Sequence, residues 1–142
     1  MPQKNEPPFK SASKFILIGE DDIDDQELLK EVFTSVDNSF RLLFANTGDQ
    51  ALSVLKKLND GHMPCLIVLD YNMPGLNGAD ILEELNNETR YADIPRIIWS
   101  TSGSDIFKNT CLELGAADYL IKPSSLKEMA DTIRYMLSIC AV

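Results

Sequence analysis

Five short apolar runs, each followed by a stretch whose apolar residues recur at helical spacing, constrain this chain more than any other feature. The runs lie at residues 15–18, 40–45, 65–69, 95–99 and 117–121. The runs at 15–18 and 65–69, bounded by turn formers or acidic residues, read as buried strands. Among the five runs the spacing predicts helices over 24–36, from Gly48 to the Asn59-Asp60-Gly61 stop, over 78–87, over 105–114 and over 126–139. The first carries Leu28, Leu29, Val32, Phe33 and Val36 on one face, and the third carries Ile81, Leu82 and Leu85. Strands alternating with helices of this length require crossover connections, which make the strands parallel. The expected architecture is α/β: a doubly wound five-stranded parallel sheet with five helices, covered on both faces.

In open α/β sheets, ligands and chemistry collect outside the carboxyl ends of the strands. There the sequence places Glu20-Asp21-Asp22 after the first run, Asp70 after the third, Ser100-Thr101-Ser102 after the fourth and Lys122-Pro123 after the fifth. If these strands are neighbours, the residues meet at one edge. Carboxylates crowded together resist ionisation. A hard divalent cation relieves that repulsion, and Mg²⁺ suits a partly hydrated site with few carboxylates. With Lys122 and the Ser100 hydroxyl nearby, the set suits a phosphoryl group. Asp70 is the candidate nucleophile, able to form an acyl phosphate.

The segments Ile16-Leu17-Ile18-Gly19-Glu20-Asp21-Asp22, Leu69-Asp70-Tyr71-Asn72-Met73-Pro74-Gly75-Leu76-Asn77-Gly78, Ile98-Trp99-Ser100-Thr101-Ser102 and Gly115-Ala116-Ala117-Asp118-Tyr119-Leu120-Ile121-Lys122-Pro123 closely resemble the receiver domain of two-component response regulators. The match is in order and at the family's spacing over residues 14–139. The resemblance implies a flavodoxin-like receiver fold with strand order 2-1-3-4-5. It also implies that Asp70 accepts a phosphoryl group from a sensor histidine kinase or a histidine phosphotransfer protein. Glu20, Asp21, Asp70 and the backbone carbonyl of Asn72 would hold Mg²⁺, with Mn²⁺ as a substitute. Ser100 would be the switch hydroxyl, Tyr119 the switch aromatic and Lys122 the phosphate-binding lysine. A cis bond before Pro123 would aim Lys122 into the pocket. On phosphorylation the loop carrying Ser100 would close, Tyr119 would turn inward, and the surface of the fourth helix, fifth strand and fifth helix would change shape.

Four departures from the commonest pattern stand out. Glu20 replaces an aspartate, Ser100 a threonine, Thr101 a smaller residue, and Trp99 is unusual where it stands. None removes a required group. An enzyme of the haloacid-dehalogenase phosphatase type also uses a strand-end aspartate, but it needs a second aspartate two residues on, where this chain has Asn72. A signalling phospho-acceptor is therefore expected over an enzyme, or over a phosphorylation-independent binding module. The expected organisation is a flexible leader over residues 1–13 and a receiver domain over 14–142. With no output domain in the sequence, a stand-alone regulator or phosphorelay shuttle is expected, similar to the single-domain regulators paired with phytochrome kinases. Its last helices offer a route to a homodimer.

The remaining residues exclude more than they suggest. A net charge of −9, from 13 basic and 22 acidic residues, disfavours direct nucleic-acid binding. No run is long enough to cross a membrane and no signal peptide is recognisable, so a cytoplasmic location without membrane attachment is expected. Cys65, Cys111 and Cys140 show no metal spacing and read as reduced structural thiols, with a thiol redox role the lesser alternative for Cys140. Asp22 reads as a helix cap, as does Ser102 or Ser104. His62 reads as a surface residue and Trp99 as core.

Overall fold

The computed structural model describes residues 14–140. Five strands and five longer helices alternate: β1 (Phe15–Gly19), α1 (Ile23–Val36), β2 (Arg41–Ala45), α2 (Gly48–Lys57), β3 (Leu66–Asp70), α3 (Gly78–Asn86), β4 (Arg96–Ser100), α4 (Asp105–Glu113), β5 (Asp118–Ile121) and α5 (Leu126–Cys140). All strand pairs are parallel, in the order β2-β1-β3-β4-β5. The expected order and architecture are both met. The expected leader lies outside the described residues.

Alternate residues of a strand face opposite sides of a sheet, and here each side has its own core. Leu17, Ile67, Leu69 and Ile98 pack with α2, α3 and α4 through Leu55, Ile81, Leu82 and Cys111. Ile16, Ile18, Leu66, Val68, Ile97 and Trp99 pack with α1 and α5 through Leu29, Phe33, Ile133 and Met136. All five residues of β1, β3 and β4 are buried, which explains why the sequence shows no alternation there. Each fully buried Leu or Ile contributes about 1.5–3 kcal/mol.

Local chemistry sets the helix starts. The side chains of Asp22, Thr47, Asn77 and Ser104 each accept a bond from a first-turn backbone N–H, capping α1, α2, α3 and α4. At α3, Asp80 returns the bond to the Asn77 N–H, completing a reciprocal box. Two glycines are required where they stand. Gly75 has φ +76°, and a Cβ on Gly48 would lie 2.4 Å from the Leu76 carbonyl oxygen.

Some expectations are corrected. α2 stops at Lys57, and a separate short turn covers Asp60–His62. His62 is half-buried, and its Nδ1 is shielded from solvent with no hydrogen-bond partner. Cys65 and Cys140 are not separate thiols. Their Cα atoms are 5.1 Å apart and their sulfurs are bonded. Cys111 is free and buried, as expected. No helix among the described residues is long and apolar enough to cross a membrane.

Candidate functional site

The register brings the predicted residues together. Gly19 pairs with Leu69, Asp70 with Trp99, and Ser100 with Ile121. Glu20, Asp70, Ser100 and Lys122 therefore leave the carboxyl ends of four strands at one edge of the sheet. Glu20 and Ser100 are fully buried, and Asp70 is 5% exposed.

Lys122 ties this edge together. Its ammonium donates to Asp70 Oδ2 at 2.8 Å and to Glu20 Oε1 at 2.9 Å. A third, longer contact reaches Asp25 Oδ2 at 3.5 Å. Burial pulls the Lys122 pKa down, but its bonds to Asp70 and Glu20 outweigh this and hold it above the ordinary lysine value. Burial pushes the Glu20 carboxyl up, against the pull of Lys122 and of the Asp22 N–H that Glu20 Oε2 accepts. A buried, neutralised carboxylate pair can release its charge to an incoming cation.

The acidic oxygens are close enough to share one. Glu20, Asp21 and Asp70 each offer a carboxylate oxygen within 4.8 Å of the others. The donor set is all oxygen, and Asp21 is exposed, leaving room for water. That chemistry fits a hard divalent cation. Asp70 Oδ1 accepts the Asn72 N–H at 3.0 Å, which fixes the carboxylate plane against the β3–α3 loop.

The bond before Pro123 differs from expectation. No cis peptide occurs among the described residues, so it is trans. Lys122 reaches the pocket anyway because its backbone N–H bonds to the Ser100 carbonyl at 2.8 Å, which extends the β4–β5 pairing to position 122. Tyr119 also differs. It is already inward, 5% exposed, and its hydroxyl donates to the Ser102 carbonyl at 2.8 Å. The ring belongs to the core over α2, α3 and α4, and the loop carbonyl satisfies the phenol. The Ser100 hydroxyl accepts the Ser102 N–H at 3.0 Å.

Several contributors were not foreseen. Gln26 donates to the Glu20 carbonyl at 2.6 Å and to Asn46 Oδ1 at 2.7 Å, bracing the β1–α1 loop against the end of β2. Trp99, in the core as expected at 1% exposed, also lies beneath Lys122, with the ammonium 5.2 Å from its ring centroid. Tyr71, the residue after Asp70, stacks on Phe107 of α4 with centroids 4.5 Å apart and planes 15° from parallel. The third carboxylate on Lys122, Asp25, could have been suspected, since it lies in the first turn of the helix that starts beside Glu20.

Comparison with known proteins agrees with this arrangement. The family model of the response regulator receiver domain matches residues 16–134. A probable transcriptional regulator, ycf27 of Pyropia yezoensis, is 34% identical over 91% of this chain. The match covers 49% of that relative, so the chain spans about half the length of such curated relatives. The crystal structure of response regulator RPA3017, in red light signaling of R. palustris, superposes with TM-score 0.77 at 29% identity, covering 86% of this chain and 90% of that one. The Mn²⁺-bound form of response regulator Rcp1 gives 0.76 at 27%, covering 88% and 92%. The buried strand-end carboxylates, the lysine that bridges them, the 2-1-3-4-5 sheet and the family match together place this chain in the response regulator receiver domain family, whose general function is to accept a phosphoryl group on an aspartate.

Proposed function

We propose that Asp70 is the phospho-acceptor of a two-component regulator and that a histidine kinase or histidine phosphotransfer protein is its donor. The observation that carries this is the Lys122 ammonium, 2.8 Å from a buried Asp70 carboxylate at a strand-end edge. Asp70 attacks the phosphorus of a phosphohistidine; the P–N bond breaks, the imidazole leaves, and an acyl phosphate forms on Asp70. Lys122 holds the acceptor in place and meets the charge on the phosphoryl oxygens.

Glu20, Asp21, Asp70 and the Asn72 carbonyl would hold Mg²⁺, or Mn²⁺ in its place. The ion supplies charge neutralisation at the phosphoryl oxygens. For this to happen Lys122 must release Glu20 while keeping its hold on position 70. The Ser100 hydroxyl accepts from the Ser102 N–H through a lone pair, which leaves its own proton to donate to the new phosphoryl group. Tyr119 anchors the Ser102 carbonyl within the loop over residues 101–104, so a movement of that loop must carry or break this bond. Ile106 and Leu112 of α4, Ile121 of β5, and Leu126 and Tyr135 of α5 are exposed, and they supply an apolar surface whose shape the loop controls. A target protein, or a second copy of the chain, docks there.

The cytoplasm and a red-light sensor kinase as donor complete the proposal; the likeness to RPA3017 supports the second. The test is Mg²⁺-dependent labelling with acetyl phosphate. Asp70→Asn should abolish it, and labelling of that variant at the parent's level would overturn the assignment.

A further inference from the structure

At the opposite edge of the sheet, away from Asp70, a cleft of about 580 Å³ is lined by Cys65, Pro95, Arg96, Ile139 and Cys140, among others. Cys65 immediately precedes β3, and Cys140 ends α5. We propose that Cys65 and Cys140 form a reversible thiol–disulfide site that reacts with small disulfides and latches the end of α5 to the start of β3.

Three observations carry this. The Cα separation of 5.1 Å lies inside the range a disulfide spans without backbone movement. The same geometry serves the reduced pair, because the Cys65 thiol then has the Phe15 carbonyl 3.4 Å away as acceptor. Cys65 is only half-buried and faces the cleft, whereas Cys140 is 4% exposed, so an attacking and a resolving thiol are distinguished by access. Arg96 adds to these. Its guanidinium is buried, bonds through Nη2 to the Tyr91 carbonyl, and has no carboxylate within ion-pair distance among the described residues. A buried cation lining the cleft favours the thiolate, although Asp93 lines it too and tempers the effect.

The chemistry balances without an outside reductant or metal. The Cys65 thiolate attacks one sulfur of a small disulfide, whose S–S bond breaks and releases one thiolate. Cys140 then attacks the Cys65 sulfur of the mixed disulfide and expels the second. Two protein thiols are oxidised, one small disulfide is reduced to two thiols, and the two protons pass to the departing sulfurs. Excess small thiol reverses both steps.

The structural consequence is local. Oxidation closes a loop of 75 residues in sequence separation and removes fraying from the last turn of α5. On the chain-entropy model, the folding equilibrium constant rises by on the order of 10³-fold.

The test uses the full chain in glutathione buffers and needs no phosphorylation. In oxidised glutathione, two of the three cysteines should become unreactive to thiol reagents, and peptide mapping should join Cys65 to Cys140. Dithiothreitol should restore them without unfolding. Amide exchange over the last turn of α5 should slow on oxidation in the parent and in Cys111→Ser, and be independent of the buffer in Cys140→Ser. Three free thiols throughout, a glutathione adduct on Cys65 that Cys140 never resolves, or a bridge to Cys111 would overturn the proposal. The parent chain alone decides between these outcomes, so a variant that folds poorly does not blunt the test.

Discussion

Replacing Lys122 by methionine removes the cation that separates two buried carboxylates while keeping most of the side chain's volume. In the parent, the ammonium sits 2.8 Å from Asp70 and 2.9 Å from Glu20. At an effective dielectric of about 20, each contact is worth about 6 kcal/mol in gross attraction, much of it offset by desolvation. Without the ammonium, Glu20 and Asp70 face each other with oxygens within 4.8 Å, a repulsion of about 3 kcal/mol or more. Breaking a buried pair from one side generally costs about 3–5 kcal/mol, and the two figures agree. Asp25 adds little, because its side chain is 42% exposed. Urea unfolding in EDTA, followed by circular dichroism and by Trp99 fluorescence, should show this loss in Lys122→Met. Mg²⁺ should then restore more stability to the variant than to the parent, since the carboxylates no longer have to exchange a lysine for the ion. Its affinity for Mg²⁺ should rise about tenfold or more, equivalent to about 1.4 kcal/mol. Adding Asp70→Asn to the variant should recover stability in EDTA, because it removes the like-charge contact. A variant within about 0.5 kcal/mol of the parent in EDTA, a span typical of surface substitutions, would refute the reasoning. So would an unchanged Mg²⁺ midpoint.

Gly48→Ala would bring a methyl group within 2.4 Å of the Leu76 carbonyl oxygen, so α2 or the β3–α3 loop must shift. A loss of about 1–3 kcal/mol is expected by urea titration. Tyr119→Phe removes the bond to the Ser102 carbonyl and should cost about 1 kcal/mol, with faster amide exchange in the loop over residues 101–104. The Cys111 thiol, pushed up to about 11 by burial, has little thiolate near neutral pH. Its alkylation in the folded protein should be at least about 100-fold slower than that of an exposed cysteine, and should recover in urea.

The sheet and helices were legible because local pattern and topology agree. Buried parallel strands leave unbroken apolar runs such as Leu66-Ile67-Val68-Leu69, and the residue that follows such a run must stand at the carboxyl edge. The acidic pocket followed from the same rule. Contacts set by register or by side-chain reach left no mark. Trp99 meets the Lys122 ammonium only because β4 and β5 pair as they do, and a tryptophan in an apolar run otherwise reads as core. Lys122 and Asp25 are 97 residues apart. Cys65 and Cys140 carry no spacing signal, since their meeting depends on α5 running back along the full length of the sheet. Tyr119 stands inward because a loop carbonyl is there to receive its hydroxyl, and nothing in the strand sequence reveals that acceptor.

The stacked rings of Tyr71 and Phe107 have a mechanical meaning. Tyr71 is covalently next to Asp70, and its backbone N–H is fixed to the Trp99 carbonyl at 3.0 Å. Stacked rings with centroids 4.5 Å apart can slide past each other at little expense but resist being pressed together. The stack therefore opposes any movement of α4 that drives Phe107 toward Tyr71, and opposes sliding in the ring plane much less.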